Sequence, residues 1–276
     1  TSAIYRSVDY AQHWVTAGHA GGQFCKIDPH DSDTLYLDMQ QSNDGGATWI
    51  NMLGKNGWPG TDQWPGSYTQ TFIDPNDSTT LFLATADIPT GSGNPSGLLR
   101  STDFGLNWTA VESGLLPGDT HVTALEFSGN QIYLGTRDGN LYHSADGGDT
   151  WQPIGSNPVL ESIGILKVNP YNTDELWITT NFDVSASTKI VKMDLGGGLY
   201  TVSQVSAWRE DSYPQTLGFA DANTVLIGSR WDNGWISTDG GDHWDLFQPS
   251  TGKPGYGLAL DPWDSTQNTF YIADEQ

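Results

Sequence analysis

The sequence predicts an all-β chain that folds as a six-bladed β-propeller, and two repeated motifs support this prediction. The first motif is Ser-x-Asp-x-Gly-x-x-Trp, called here the Asp box. Four copies match it fully: Ser42–Trp49, Ser101–Trp108, Ser144–Trp151 and Ser237–Trp244. A fifth copy, Ser7–Trp14, has Ala11 where a glycine is expected. Internal repeats of this kind are typical of architectures built from copies of one small unit.

The second motif is an apolar residue, then Asp or Asn, then Pro, ahead of a hydrophobic run. It occurs at Ile27-Asp28-Pro29, Ile73-Asp74-Pro75, Val168-Asn169-Pro170 and Leu260-Asp261-Pro262, with weaker versions at 127–130 and 219–223. Proline removes a backbone donor and restricts the preceding residue, so each copy ends a strand and begins a turn. Six such turns in 276 residues give units of about 46 residues, the length of a propeller blade.

Each unit contains four strands, a to d, with the polar turn between a and b and the Asp box between c and d. Strand d is expected to begin at the tryptophan. One such sheet cannot bury both of its faces, whereas radial packing of six sheets buries them and shortens the exposed edges. Residues 257–276 supply strands a and b of one blade, and 1–20 supply its strands c and d. The sequence therefore predicts a single domain, 1–276, closed by strands from both termini.

The composition agrees with a β-rich chain, since it includes 33 Gly and 12 Trp, with only 16% charged residues. The net charge of -22 argues against nucleic acid and anionic membranes as partners, because both would repel it. No run is apolar enough for membrane insertion, and we expect a monomer. The single cysteine, Cys25, lies in the apolar segment 24–27 and is expected to be a buried, inert thiol.

The Asp-box aspartates are interpreted as structural residues. A turn aspartate accepts hydrogen bonds from the backbone amides of its own turn. The tryptophan that follows is expected to pack between blades. The residues in this class are Asp9, Asp44, Asp103, Asp146 and Asp239.

Functional residues are expected instead on the loops that join strand b to strand c, because loops carry function on a rigid frame. Every unit has a carboxylate near this position: Asp38, Asp87, Asp138, Asp183, Asp232 and the pair Asp274-Glu275. Three interpretations stay open. Two acids could hydrolyse a glycosidic bond, several could bind Ca²⁺ at the axis, or all could be solvated turn residues.

Aromatic residues form the second part of the candidate site. The polar segment 54–67 contains Trp58 and Trp64, and similar loops hold Trp208, Tyr213, Trp231 and Tyr256. Flat rings beside Asp and Asn suit the recognition of sugars. The alternative is that these rings pack one loop onto another.

Together, the boxes and the Asp-Pro turns resemble the Asp-box (bacterial neuraminidase repeat) superfamily, and most closely a propeller of xyloglucan-active endoglucanases and reducing-end cellobiohydrolases. The resemblance implies a catalytic aspartate on a b-to-c loop, for which Asp87, Asp232 and Asp274 are the candidates. It also implies a cleft between two propellers with one acid from each, whereas this sequence predicts one propeller.

A sialidase needs three arginines around the substrate carboxylate. Arg6 and Arg100 directly precede box serines, which leaves Arg137, Arg209 and Arg230. Arg137 and Arg230 occupy equivalent b-to-c positions and could form a partial anion clamp. With neither an Arg-Ile-Pro motif nor a convincing Tyr/Glu pair in the sequence, sialidase activity is not expected.

Two functions are therefore predicted as alternatives. The first is a carbohydrate-interacting propeller that binds a polysaccharide or oligosaccharide and acts as a glycoside hydrolase with paired carboxylates. The second is a non-catalytic protein-interaction propeller, similar to photosystem II assembly factors and sortilin-type receptors. No cofactor is required by either, although axial Ca²⁺ stays open. The resemblance and the acidity favour an extracellular or cell-surface location.

Overall fold

The computed structural model describes residues 3–7, 9, 12–19, 25–37, 39–52, 69–85, 97–111, 113–116, 121–154, 160, 162–180, 189–197, 199–203, 213–230, 234–247, 253–260 and 270–275. The described residues form 24 antiparallel strands in seven sheets. The chain divides into two compact units: Thr1–Val122 with Asp146–Trp151, and Thr123–Ala145 with Gln152–Gln276. Each unit is described by itself.

The first unit holds three sheets. Sheet I consists of β1 (Ala3–Arg6) and β2 (Val15–His19). Sheet II consists of β3 (Cys25–Ile27), β4 (Leu35–Leu37), β5 (Gln40–Ser42) and β6 (Ile50–Asn51). Sheet III consists of β7 (Thr69–Asp74), β8 (Asp77–Thr85), β9 (Leu98–Ser101) and β10 (Thr109–Ala110).

The second unit holds four sheets. Sheet IV consists of β11 (Val122–Ser128), β12 (Gln131–Thr136), β13 (Leu141–Ser144) and β14 (Gln152–Pro153). Sheet V consists of β15 (Ile163–Asn169), β16 (Asn172–Thr180), β17 (Ile190–Asp194) and β18 (Leu199–Ser203). Sheet VI consists of β19 (Tyr213–Phe219), β20 (Val225–Arg230), β21 (Gly234–Ser237) and β22 (Asp245–Phe247). Sheet VII consists of β23 (Lys253–Leu260) and β24 (Phe270–Glu275).

The all-β class and the four-stranded unit with sequential strands are confirmed. In each of sheets II to VI, neighbouring strands in the sequence are neighbours in the sheet. Sheets I and VII have two strands each, β1 paired with β2 and β23 with β24. The count of six blades, the closure by both termini and the single domain 1–276 therefore stay predictions.

The hydrophobic core lies between consecutive sheets. One cluster joins Tyr36, Met39 and Met52 of sheet II and its margin to Leu81 and Leu83 of sheet III. A second joins sheets IV and V, and a third joins sheets V and VI around Trp177 and Trp235. In these three pairs each sheet thus buries a face against the next, which is how an isolated sheet of this kind becomes stable.

The Asp box folds as a hydrogen-bonded turn between strands c and d. In the second copy, Ser42 Oγ donates to Asp44 Oδ1 at 2.8 Å and accepts the N–H of Gly46 at 2.8 Å. Asp44 Oδ1 in turn accepts the N–H of Thr48 at 2.8 Å. The same amide bond to the aspartate, at 2.8 or 2.9 Å, is made by His13 to Asp9, Asn107 to Asp103, Thr150 to Asp146 and His243 to Asp239.

The box tryptophans precede strand d rather than begin it. Strands β6, β10, β14 and β22 each start one residue after the tryptophan. Trp151 is fully buried, and its Nε1 donates to Val111 O at 3.0 Å. By contrast, Trp14 of the imperfect copy is 60% exposed. The main-chain N–H of Trp151 donates outside its own turn, to Ser113 O at 2.8 Å.

The turns between strands a and b link one sheet to the next. Asp28 is buried, accepts the N–H of His30 at 2.8 Å, and accepts the hydroxyl of Ser78 in sheet III at 2.6 Å. Asn169 is buried as well and donates to Ala222 O beside sheet VI at 3.1 Å. A buried polar group must find hydrogen-bond partners, so these residues fix how neighbouring sheets meet.

A cation at the end of strand c also reaches the Asp box of the next sheet. Arg6 Nη1 donates to Gly45 O at 3.4 Å, and Arg100 Nη1 donates to Gly147 O at 2.5 Å. Lys192 Nζ donates to Gly240 O at 2.8 Å. These three glycines share one box position and have φ near +70°. A Cβ at Gly45 would lie 1.5 Å from Arg6 Nη1, so a side chain there would exclude the cation.

The prediction for Cys25 was wrong, because its side chain is exposed. All three residues of β3 are exposed, and this strand lies at an edge of sheet II. The core of the sheet comes instead from β4, where Tyr36 and Leu37 are buried. The short segment 24–27 therefore did not indicate which strand faces the core.

Replacing the box serine is expected to destabilise the protein. Ser101→Ala leaves the buried N–H of Gly105 without its acceptor, which costs about 1–3 kcal/mol in free energy of unfolding. Urea denaturation measures the change, with Thr102→Ala, an exposed neighbour, as the control. Equal stability of the two variants would contradict a structural role for the box.

Removing a cation between sheets is expected to have a smaller effect. Arg100→Gln loses the bond to Gly147 O and the ion pair with Asp149, whose side chain is exposed. The expected loss is about 1 kcal/mol, because solvent screens the ion pair. Arg100→Lys retains the charge, so its melting temperature should lie between those of Arg100→Gln and the unchanged protein. A melting temperature for Arg100→Gln equal to that of the unchanged protein would refute this role.

Candidate functional site

The candidate site is sought at the upper ends of the sheets, defined as the ends where strands a begin and strands b end. Strand b finishes at Leu37, Thr85, Thr136, Thr180 and Arg230 in sheets II to VI, and β24 finishes at Glu275. The candidate carboxylates at b-to-c positions follow or include these ends.

Much of the predicted site lies outside the described residues. This applies to the candidate acids Asp87 and Asp232 and to the four candidate tryptophans, Trp58, Trp64, Trp208 and Trp231. It also applies to Asp38, Asp183 and Arg209. Their roles stay predictions.

Four candidates lie on strands of sheets VI and VII in the second unit. Tyr213 opens β19 and is the direct partner of Arg230, the last residue of β20. In sheet VII, Pro254 pairs with Asp274 and Gly257 with Ala273, so Tyr256 lies in a bulge opposite the end of β24. Strand β23 contacts both β19 and β20. Bulges of this kind are frequent beside functional sites, because they redirect a side chain.

This placement differs from the sequence interpretation in one respect. Tyr213, Tyr256 and Asp274 were assigned to loops, whereas the structure has all three within strands. The strands extend further than expected because ladder pairing continues past the irregularities in register. Residues held in a ladder are more rigidly positioned than residues on a loop tip, which favours a preformed site.

The remaining candidate, Arg137, lies in the described turn between β12 and β13. Arg137 and Asp138 are both exposed at its tip. Thr136 is buried beneath them, and its hydroxyl accepts the N–H of Asn140 at 3.1 Å. The turn offers one cation and one anion to solvent, on sheet IV rather than beside Arg230 on sheet VI.

Hydroxyl residues at the upper ends were missed by the sequence reasoning. Thr180 Oγ1 accepts the N–H of Lys189 at 2.9 Å, which repeats the role of Thr136 in sheet V. Thr179 Oγ1 and Ser162 Oγ are buried and have no hydrogen-bond partner among the described residues. The signal was present, because strand b ends on Thr85, Thr136, Thr180 and Ser229-Arg230.

The Asp-box carboxylates are chemically unsuited to general acid catalysis. The side-chain and main-chain hydrogen bonds of Thr48 lower the pKa of Asp44 to about 2, and those of His243 lower the pKa of Asp239 to about 2. A general acid needs a pKa near the working pH. These aspartates are therefore ionised and already occupied by donors of their own turns.

The described residues include no group of three or more His, Cys, Asp or Glu side chains placed to hold a metal ion. Within the same part of the chain, no helix is long and apolar enough to cross a bilayer.

Comparison of sequences finds relatives among xyloglucanases. The chain is 32% identical over 156 residues to xyloglucanase Xgh74A of Acetivibrio thermocellus, which is 47% of this chain and 18% of that protein. It is 26% identical over 302 aligned residues to a xyloglucanase of a Paenibacillus species, covering 87% of this chain and 28% of that protein. The chain thus spans less than a third of the length of these relatives. No family model matches the sequence.

Comparison of structures finds propellers of two kinds. The GH74 xyloglucanase of Xanthomonas campestris superposes with a TM-score of 0.66 at 20% identity, covering 91% of this chain and 43% of that one. A structure of YCF48 bound to D1 peptide superposes with a TM-score of 0.61 at 15% identity, covering 100% of this chain and 83% of that one. At these identities the superpositions establish the fold alone.

The repeated boxes and four-stranded sheets define a protein of the Asp-box β-propeller class. Within that class, the chain is a distant homologue of the GH74 xyloglucanases, and it also shares its fold with YCF48-type propellers.

If the four candidates on sheets VI and VII form a sugar site, loss of either tyrosine ring should weaken sugar binding. Tyr213→Ala and Tyr256→Ala are each expected to raise the Kd for a xyloglucan oligosaccharide about 3- to 10-fold, because a stacked ring contributes roughly 0.5–1.5 kcal/mol. Calorimetric titration measures this. Tyr171→Ala, at an exposed tyrosine on the opposite end of sheet V, is the matched control, and equal Kd values in all three variants would contradict the site.

Proposed function

We propose that this chain is an extracellular carbohydrate-binding propeller that recognises a β-glucan of the xyloglucan type. The observation that carries the proposal is the homology to xyloglucanases, which at 26% identity extends over 87% of the chain. The placement of two tyrosines, Arg230 and Asp274 on strands of sheets VI and VII supports it, because rings stack on sugar faces while polar groups fix hydroxyls.

The charge of the protein is compatible with this ligand. A net charge of -22 repels nucleic acids and other polyanions, whereas a neutral polysaccharide is not repelled. Neutral glucans therefore fit the electrostatics of this protein better than sialylated or uronic acid polymers do.

Hydrolysis is the finer part of the proposal. The candidate carboxylates are Asp87, Asp232 and Asp274, used as a pair. A glycosidase needs two of them about 5–5.5 Å apart for retention or roughly 6.5–9.5 Å apart for inversion. The aligned part makes up only 18% and 28% of these relatives, so a second acid supplied from elsewhere is the alternative to a pair within 1–276.

A binding titration and a turnover assay separate these two parts. Xyloglucan oligosaccharide is expected to bind, and cello-oligosaccharide of equal length to bind more weakly. If the chain also hydrolyses xyloglucan, Asp87→Asn, Asp232→Asn or Asp274→Asn should each be tested singly for loss of reducing-end release. Asp174→Asn, an exposed acid at the lower end of sheet V, is the control. Undiminished turnover in all three candidates would remove them, while binding without turnover would leave the carbohydrate function intact.

A protein-interaction function is the second candidate, favoured by one observation. The superposition on YCF48 bound to D1 peptide covers nearly the same length in both chains, unlike those on the xyloglucanases. The acidic surface would then suit a peptide of net positive charge. Micromolar binding of such a peptide, together with no binding of xyloglucan or cello-oligosaccharides, would replace the carbohydrate proposal with this one.

A further inference from the structure

Histidine occupies a distinctive position in two of the five Asp boxes. The residue four positions after the aspartate donates its N–H to that aspartate in every copy, as described above. Its side chain also contacts the same carboxylate, and here the copies differ. The residue is His13 in the first box and His243 in the last, whereas the three internal boxes have Thr48, Asn107 and Thr150.

In the last box the histidine side chain makes a second contact with the aspartate, in addition to the main-chain hydrogen bond. His243 Nδ1 lies 2.6 Å from Asp239 Oδ2, while its N–H donates to Asp239 Oδ1 at 2.9 Å. Ser237 Oγ donates to the same Oδ1 at 2.9 Å. The first box repeats the ring contact, with His13 Nδ1 2.5 Å from Asp9 Oδ2. A hydroxyl or an amide fills this place in the other boxes without any change of charge between pH 5 and 8.

The carboxylates around His243 favour its protonated form. Asp239 raises the pKa of His243 through its hydrogen bond and its charge, and Asp242 and Asp245 add smaller effects of the same sign, while desolvation acts in the opposite direction. One cation, Lys192, contacts the same turn, where its Nζ donates to Gly240 O. In return, the hydrogen bonds from His243 are the main reason for the low pKa of Asp239.

The turn that His243 closes also holds sheets V and VI together. Gly240 accepts Lys192 from β17, and Trp244 packs edge-on against Trp177 of β16 with ring centroids 6.3 Å apart. Lys192 Nζ lies 5.7 Å from the centre of the Trp177 ring. Any loosening of the turn therefore reaches the contact between two neighbouring sheets.

We propose that the last Asp box is a pH-responsive staple, in which protonated His243 tightens the turn that docks sheet VI onto sheet V and neutral His243 loosens it. The internal boxes with Thr48, Asn107 and Thr150 make the same turn without this response. The chain thus combines a pH-independent repeat with a box that is stronger in mildly acidic surroundings.

The direction of the effect follows from the two pKa shifts. The pKa of His243 is raised above 6.5, so its contribution is fully present below that pH and is lost as the pH rises through the folded-state value. The pKa of Asp239 falls from 3.8 to about 2, so its contribution is present above 3.8 and is lost only as the pH falls towards 2. The staple is therefore strongest from about pH 4 to 6.5, where both partners are charged.

Amide hydrogen exchange on the whole chain tests this, with a control inside the same molecule. The N–H groups of His243 and Thr150 occupy equivalent places, at 2.9 Å from Asp239 and Asp146. After correction for intrinsic exchange, the protection factor of the His243 amide should fall severalfold between pH 6 and pH 8. The protection of the Thr150 amide should not change over the same range.

Two substitutions exchange the behaviour of these boxes. His243→Thr reproduces the box of Asp146, so its protection at residue 243 should lose the pH dependence without loss of fold. Thr150→His should acquire the dependence at residue 150. The proposal is overturned if the His243 amide in the unchanged protein keeps constant protection from pH 6 to 8, or if His243→Thr retains the full change. Neither outcome depends on ligand binding, so this test is independent of the proposed function.

Discussion

The fold depends on one hydrogen bond, which an Asp-box carboxylate accepts from the main-chain N–H four residues later. That bond closes the turn between strands c and d and fixes the glycine before it, whose N–H is itself held by the a–b turn of the same sheet, as Gly45 is by Asp33 O at 2.8 Å. The carbonyl of this glycine then accepts a hydrogen bond from the cation of the preceding sheet, and the box tryptophan contacts a neighbouring sheet. This turn therefore connects strands c and d and also supplies contacts between sheets.

The same geometry separates structural from functional carboxylates. Box aspartates accept hydrogen bonds from their own turns, which lowers the pKa of Asp44 and of Asp239 to about 2. The candidate carboxylates come at or just after the end of strand b in the sequence. Backbone pairing places Tyr213 opposite Arg230 in sheet VI and Pro254 opposite Asp274 in sheet VII. A site of this kind is positioned by the sheet ladder and specialised by the loops that follow.

Much of the fold could be predicted, because box and turn residues act locally. Ser42, Asp44 and Gly46 form their turn through contacts within five residues, so their spacing reports their structure. The turn at Asp194, which accepts the N–H of Gly196 at 2.9 Å and joins β17 to β18 without a box, was not recognised. Cys25 was misjudged because burial depends on which strand is an edge. The positions of the candidate acids depend on loop geometry and on whether the ring closes, and no local pattern encodes either.

The cations on strand c limit how the repeats can be exchanged. Arg6, Arg100 and Lys192 come from sheets I, III and V and contact boxes of sheets II, IV and VI, while the intervening sheets carry Gln41, His143 and Ile236. The box of sheet III, the sheet after Gln41, has Phe104 at φ 58° where the boxes of sheets II, IV and VI have glycine. Removal of sheet II alone would therefore set Arg6 against the box that has Phe104, whereas removal of sheets I and II together would leave Arg100 and Lys192 with their glycine acceptors.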